Sequence, residues 1–371
     1  MRTVAAFTDT YRPTVNGVAY TVDAWRTVWR TRGGRMAVVY PEAEAYDPRE
    51  NEFQVSSAPF PWYSGFRIGR PSIPNGLETP DIVHAHTPFT VGLAGRRLAR
   101  RAGVPLVASY HTPAREYASY LSERLDDPIG RVAERYERWF FEEADAIVAP
   151  SRTARERVDV DSTPVFVVSN GVDTDRFLPQ EEATVERFRR RYDLPESPLV
   201  GYTGRHGHEK RIEELLDATA HLDVSVVIGG DGPARSTLER RVGDRSDVTF
   251  LGFLERSELP AFYTALDAFA FPSPIETEGL VALEAIACGT PVVAVDAGAL
   301  SETVVDGRTG YHYPPGDLEA FRAALLRTLE ERERLRKSCL ERRSSLDVER
   351  SIDALESVYE SVSTAARTLS R

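Results

Sequence analysis

Glu276 and Glu284 stand eight residues apart in PIETEGLVALEA (274–285), on either side of Gly279-Leu280. Burying a carboxylate without partners is costly. The segment is therefore either a solvated helix start or the border of a ligand rich in hydroxyl groups. A second cluster, GRHGHEKR (204–211), sets Arg205 and Lys210 five apart, after Gly204, on a loop that enters a helix. Two cations there could neutralise a diphosphate, including the charge that builds on it as a leaving group. A solvated basic loop is the plain alternative, but Lys210 and Lys337 are the only lysines among 46 basic residues. A third stretch, TDTYRPTVNGVAYTV (8–22), carries Asn16-Gly17 just before a helical run. Backbone amides at such a turn can meet an anion, although an ordinary strand-to-helix turn explains it equally well. IGGDGPA (228–234) has the spacing of neither a dinucleotide fingerprint nor a P-loop, and is expected to be a tight turn that lets a ligand approach the backbone.

The elements that must hold these loops are short β-rich runs alternating with helical patterns. TVAAF (3–7), RMAVVY (35–40), DIVHAH (81–86), PLVASYH (105–111), AIVAP (146–150) and PVFVVSNG (164–171) cover the first half; LVGYTG (199–204), VSVVIGG (224–230), VTFLGF (248–253), AFAFPS (268–273) and PVVAVD (291–296) cover the second. That alternation predicts an α/β fold of two Rossmann-like, doubly wound domains facing across a cleft. The reading divides the chain into 1–178 and 179–348, with a linker near 175–180 and a last helix, about 349–371, that packs back on the first domain. Glu276 then falls in the loop before a helix and Glu284 about two turns inside it. A phosphate could rest on the amides at Gly279 and Leu280, with one carboxylate on sugar hydroxyls and the other on a ribose diol. That arrangement fits a nucleotide sugar.

Composition narrows the class. A chain of 371 residues, 42% hydrophobic, exceeds what one core usually supports, and no run approaches the ~18–20 apolar residues of a spanning helix. The apolar stretch after Met1 is too short for a secretory signal, so a cytoplasmic location is expected. Cys288 and Cys339 are too few for a disulfide framework or a thiol metal site, and are expected to be packing residues. A net charge of −11 with arginine in place of nearly all lysine suits a high-salt or high-GC organism such as a haloarchaeon. The charge is uneven: residues 1–180 hold 22 basic and 23 acidic side chains, the remainder 24 and 34. A near-neutral first half in an acidic chain hints at an anionic partner or a membrane surface.

The chain resembles glycosyltransferase family 4, the retaining group with the GT-B architecture of two Rossmann-like domains. The resemblance runs through PTVNGV, HAHTPFTVGLAG (84–95), ASYHT (108–112), VVSNGVDTDRF (167–177), GRHGHEKR, the two-glutamate segment, and GTPVVAVDAGALSETVVDGRTGYHYPPGD (289–317). It implies that Glu276 contacts the donor sugar, Glu284 the ribose, and Arg205 and Lys210 the diphosphate. It also implies that His111 sits beside the transferred sugar and that the Asn16-Gly17 loop lies under the donor phosphates. No cofactor or metal is implied beyond the nucleoside diphosphate sugar substrate, and no nucleic-acid partner. Two positions depart from the family: Glu278 stands where an aromatic residue is usual, which bears on donor preference, and His206 where many relatives carry an aliphatic one.

DVD (159–161) and DTD (173–175) look like metal-binding Asp-x-Asp motifs but fall in a charged loop and at the linker, so neither is read as a metal site. His84 and His86 are expected to point to opposite faces of a strand end, away from any shared ion. On the acceptor side, Trp62, Tyr63, Phe66, Arg67 and Arg70 in PFPWYSGFRIGR (59–70), with the arginines at 96, 97, 100 and 101, suit anionic lipid; a partly buried aromatic loop beside a solvated helix is the alternative. The expected function is transfer of a hexose from a nucleoside diphosphate sugar, of the UDP-glucose type or GDP-mannose, to a membrane lipid hydroxyl, with the protein peripheral on the inner face of the membrane. The rivals are a nucleotide-sugar epimerase of the same architecture, a transferase for a soluble acceptor, and a binding module without turnover.

Overall fold

Val4 and Ala6 lie in one apolar cluster while Ala5 and Phe7 lie in another, because successive side chains leave opposite faces of a strand. Both faces are therefore covered, which is the usual setting of a parallel sheet. The computed structural model describes residues 2–43, 46–60, 67–113 and 126–369, without the side chains of 126–129 and 366–369. Its first half holds β1 (Thr3–Phe7), β2 (Arg35–Pro41), β3 (Glu52–Val55), the antiparallel pair β4 (Ser57–Pro59) and β5 (Arg67–Gly69), then β6 (Ile82–Ala85), β7 (Leu106–Ser109), β8 (Ala146–Ala149) and β9 (Val165–Val167). Seven of these form a parallel sheet in the order β3-β2-β1-β6-β7-β8-β9.

One face of that sheet packs against the Gly17–Thr31 helix, through Trp25 and Trp29, and against the Val348–Leu369 helix, through Ile352, Leu355, Val358, Tyr359 and Val362. Spacings of three and four keep those residues on one stripe of the last helix. Trp29 meets Tyr359 edge-on at 5.4 Å, and Arg32 reaches both Glu349 and Asp353. The other face holds Val91 and Ala94 of the Thr90–Ala102 helix and Phe140 and Phe141 of the Asp126–Glu142 helix.

The second half is a parallel sheet of β10 (Leu199–Thr203), β11 (Ser225–Gly229), β12 (Val248–Gly252), β13 (Ala268–Phe271), β14 (Val292–Val295) and β15 (Gly310–Tyr313), ordered β12-β11-β10-β13-β14-β15 around its own core. The chain thus forms two compact units, Met1–Asn170 with Val348–Arg371, and Gly171–Asp347. The division at 170/171 comes earlier in the chain than the sequence boundary at 178, because Val172 and Phe177 already belong to the second core and the Val172 amide donates to Leu346 O at 2.8 Å. The doubly wound α/β architecture expected of each half is what forms. β3 and β15, which the sequence reading lacks, are four-residue edge strands whose pairing comes from the neighbouring strand.

In each sheet the strand order reverses once. From β1 the chain runs outward to β2 and β3 and returns on the other side as β6; from β10 it runs to β11 and β12 and returns as β13. Loops leaving adjacent strands in opposite directions open a crevice at their carboxyl ends, where ligands of such sheets bind.

Candidate active site

In the second unit the loops after β10 and β13 flank that crevice. The first runs through Gly204 (φ 147°) and Arg205 to a short 3-10 turn, His208–Lys210, and then to Arg211, which enters the Ile212–Thr219 helix with φ 49°. The second carries Glu276. Lys210 Nζ donates to Glu276 Oε1 at 2.7 Å, so a cation and a carboxylate 66 residues apart meet across the crevice. Arg205 pairs with Glu209, one turn on. Tyr202 is buried under the same group and donates its hydroxyl to Arg205 O at 3.2 Å. Burial, with Glu276 and Glu209 nearby, pushes its phenol well above the usual range. Arg205 and Lys210, read as one pair in the sequence, and Glu276, read in another stretch, therefore share one neighbourhood.

The Gly-rich turn 228–234 corrects an expectation. A Cβ at Gly230 (φ 104°) would stand 2.0 Å from Gly204 O, and one at Gly232 would stand 2.7 Å from His206 O. The backbone that comes close is the chain's own 204–206 loop. His206 fastens the two together: its amide donates to Asp231 O (2.8 Å), its carbonyl accepts from the Ala234 amide (2.9 Å), and its Nε2 lies 3.2 Å from Gly229 O. The ring is buried, which lowers its pKa and makes it a packing histidine under the loop.

Gly279 takes φ 82° at the start of the Leu280–Ala287 helix and supplies no side-chain cap. A Cβ there would stand 2.7 Å from Leu300 Cδ2 and 3.1 Å from Phe271 Cε1, so glycine is required by packing as well as by φ. The Ala282 amide turns back to Gly279 O at 2.9 Å, while the amides that open a helix are where an anion is held. Glu276 lies in the preceding loop and Glu284 inside the helix, as expected. Glu284 is only 2% exposed. Tyr263 donates to its Oε2 at 2.9 Å and Arg256 faces Oε1 at 3.1 Å, itself stacked over Phe177. Burial raises the carboxyl pKa while Arg256 and Tyr263 pull it down. Glu278 is also buried, and its carbonyl accepts from Thr303 Oγ1.

In the first unit Asn16 is occupied by structure. Its Oδ1 caps the Gly17–Thr31 helix at the Ala19 amide (2.9 Å), and its Nδ2 donates to Thr10 Oγ1 (2.7 Å). Gly17 faces open space: among the described residues nothing lies within 4 Å of an added Cβ. The loops after β1 and β6 are joined by Asp9, which accepts from Thr87 (2.6 Å), Thr90 (2.9 Å) and the Val91 amide (2.9 Å). A buried carboxylate so supplies the cap that Phe89 cannot give the Thr90–Ala102 helix.

His111, after β7, lies in a row of histidines. His84 and His86 do not point to opposite faces: their rings stack at 4.1 Å, since residues two apart on a strand share a face. His84 bonds Tyr359 OH and Ser109 Oγ, both at 2.7 Å, and His86 Nδ1 lies 3.1 Å from His111 Nε2. Burial lowers all three, His84 to about 3 and His111 to about 4, so each is neutral at pH 7.

Three of the four Asp-x-Asp carboxylates have other occupations. Asp159 and Asp161 both pair with Arg138, at 3.1 and 2.6 Å, and Asp173 caps its own turn at the Arg176 amide. Trp62, Tyr63 and Phe66 lie outside the described residues. Arg67 donates to Ser57 Oγ at 2.6 Å; Arg96 pairs with Glu143 and stacks over the part-exposed Trp139, while Arg97, Arg100 and Arg101 are exposed. Sequence reasoning missed Asp9, Tyr202, Arg256 and Tyr263, which carry no local pattern; Glu209 lay within the quoted GRHGHEKR and could have been paired with Arg205 by its i, i+4 spacing.

Known proteins were compared with the chain. The sequence model described as Glycosyltransferase Family 4 matches residues 15–176, and that described as Glycosyl transferases group 1 matches 184–343. A GDP-mannose-dependent alpha-mannosyltransferase of Mycobacterium tuberculosis is 32% identical over 85% of this chain and 85% of its own length. An alpha-monoglucosyldiacylglycerol synthase of Streptococcus pneumoniae is 28% identical over 84% of this chain and 75% of its own. Among solved structures, the sucrose-phosphate synthase of Thermosynechococcus elongatus superposes with a TM-score of 0.79 at 21% identity, over 98% of this chain and all of that one, a likeness of fold.

Proposed function

Since the chain belongs to glycosyltransferase family 4 and is a hexosyltransferase drawing on a nucleotide sugar, we propose that it moves a mannosyl group from GDP-mannose, or a glucosyl group from a UDP-glucose-type donor, to a lipid hydroxyl. Configuration is retained and no metal takes part. The observation that carries this reading is the 2.7 Å contact of Lys210 with Glu276, which gathers the diphosphate cations and the sugar carboxylate at one crevice. GDP-mannose is placed first because of the similarity to the mannosyltransferase.

In the proposed reaction the bond between the anomeric carbon and the β-phosphate oxygen breaks, and the acceptor oxygen bonds to the same face. The acceptor proton passes to the departing phosphate. Arg205, Lys210 and the Leu280 amide take up the charge that develops there. Glu276 holds hydroxyls of the hexose; the resemblance to the family assigns His111 to the transferred sugar, and its ring is neutral. A ribose hydroxyl reaches Glu284 Oε1 by taking the place of Arg256. A lipid acceptor is supported by the exposed arginines 97, 100 and 101, which follow Arg96, itself stacked over Trp139, along one helix, and by the similarity to the glycolipid synthase. Among the described residues no helix is long and apolar enough to cross a membrane, so contact with lipid would be peripheral.

The test is nucleoside diphosphate release from a panel of GDP- and UDP-sugars, in high potassium chloride with chelator, with and without anionic lipid vesicles. Lipid-stimulated release from GDP-mannose, with label in a lipid product, is expected. Release stimulated only by soluble sugars would move the acceptor off the membrane, and isomerised donor without transfer would replace the transferase reading with an epimerase.

A further inference from the structure

His86 is the middle ring of the three histidines in the first unit. It is 1% exposed, stacked on His84 and nearly parallel to His111 (10°), with Trp25 beside all three. Its Nδ1 lies 3.1 Å from Nε2 of His111, while its own Nε2 is buried with no hydrogen-bond partner among the described residues. A 3.1 Å contact between two ring nitrogens needs one proton between them. Two neutral arrangements supply it. In one, His111 carries the proton on Nε2 and His86 accepts, which puts the proton of His86 on Nε2 as a buried N–H without an acceptor. That orphan costs roughly 1–3 kcal/mol. In the other, His86 carries its proton on Nδ1 and donates, and only a lone pair goes unmatched, the milder defect of the two. A charged ring would satisfy the contact as well, but the apolar surroundings oppose it.

We infer that His86 donates from Nδ1 to Nε2 of His111 and thereby holds His111 as the Nδ1–H tautomer, making His86 a positioning residue for the ring beside the transferred sugar. The clause about the sugar rests on the function proposed above; the tautomer does not. With Nε2 committed as an acceptor, His111 offers an N–H from Nδ1. It can steady an oxygen of the sugar or of the leaving group, and it is not the base that takes the acceptor proton.

Protein labelled with ¹⁵N on its histidines, at pH 7.5, tests this directly, because long-range ¹H–¹⁵N correlations separate protonated from bare ring nitrogens. Both His86 and His111 are expected protonated at Nδ1; a His111 protonated at Nε2 would overturn the inference with no variant needed. His86→Phe keeps the ring volume and removes the donor, and should let His111 drift toward Nε2–H. It should also lower kcat at least about tenfold, with donor KM within about twofold, as when a histidine loses the partner that sets its tautomer. His86→Asn, whose amide nitrogen can stand near the Nδ1 position, should recover most of kcat. An unchanged kcat in His86→Phe would refute the positioning role. The expected tautomer in a protein that transfers no sugar would sink the functional reading and leave the tautomer standing.

Discussion

Lys210 is held between two tasks. It ion-pairs with Glu276 at partial burial, and in the proposed reaction it meets the leaving diphosphate. Pairs of this exposure contribute little to stability, about 1 kcal/mol or less, whereas an electrostatic contact made in a transition state is worth about a hundredfold to a thousandfold in rate. Lys210→Met is therefore expected to lower kcat by about that much, with the melting temperature shifted by only a few degrees. Near-normal turnover in the folded variant would remove Lys210 from the chemistry. Asn16 shows the opposite balance, because its side chain is used in capping and latching the loop, and any part it has in donor binding passes through the helix start it fixes.

At the scale of elements, the loop that carries Arg205 and Lys210 is shaped from below. Gly230 and Gly232 let the turn after β11 lie directly on residues 204–206, and His206 ties the two backbones together. Gly230→Ala would place a methyl group within 2.0 Å of Gly204 O at a φ of 104°. A cost of about 3 kcal/mol or more is expected from the clash and the strained backbone together. Calorimetry should show the second unit's transition lowered while the first unit's is unmoved; an unmoved second transition would mean that the loops can part freely. The sequence marked both stretches for their glycines and basic residues, but nothing local says that one rests on the other. Pairing of the edge strands β3 and β15 is equally a property of the neighbour that accepts them, which is why EFQV and GYHY carry so little signal of their own.

Across the whole molecule, the last helix returns to the first unit and closes over Trp29 and His84, so residues at opposite ends of the chain share one core. Neutral buried histidines make that core sensitive to acid. Unfolded, each binds a proton near pH 6.5; folded, His84 does so only near 3 and His111 near 4. Between those values the unfolded chain holds more protons, so stability must fall as pH falls below about 6.5, by up to about 1.4 kcal/mol per unit for each histidine. All four tryptophans, at 25, 29, 62 and 139, lie in the first unit, so denaturant unfolding followed by tryptophan fluorescence reports on it alone. A stability constant from pH 7 to 5 would contradict the buried, neutral cluster.

The sequence by itself determined the fold class and the family. Short β-rich runs between helical patterns, glycines at the turns, and the order of short motifs along the chain are local properties, and they survive being read one window at a time. Only the tertiary structure decided who meets whom. Glu284 looks like a carboxylate on a helix until Tyr263 and Arg256 enclose it; Asp9 looks like a loop residue until it caps a helix that begins at Thr90. His84 and His86 were read onto opposite faces although a strand puts them on the same one, and their stacking with His111 required β6 and β7 to be neighbours. Such contacts span tens to hundreds of residues, and their energies depend on burial and distance, which a sequence window does not contain.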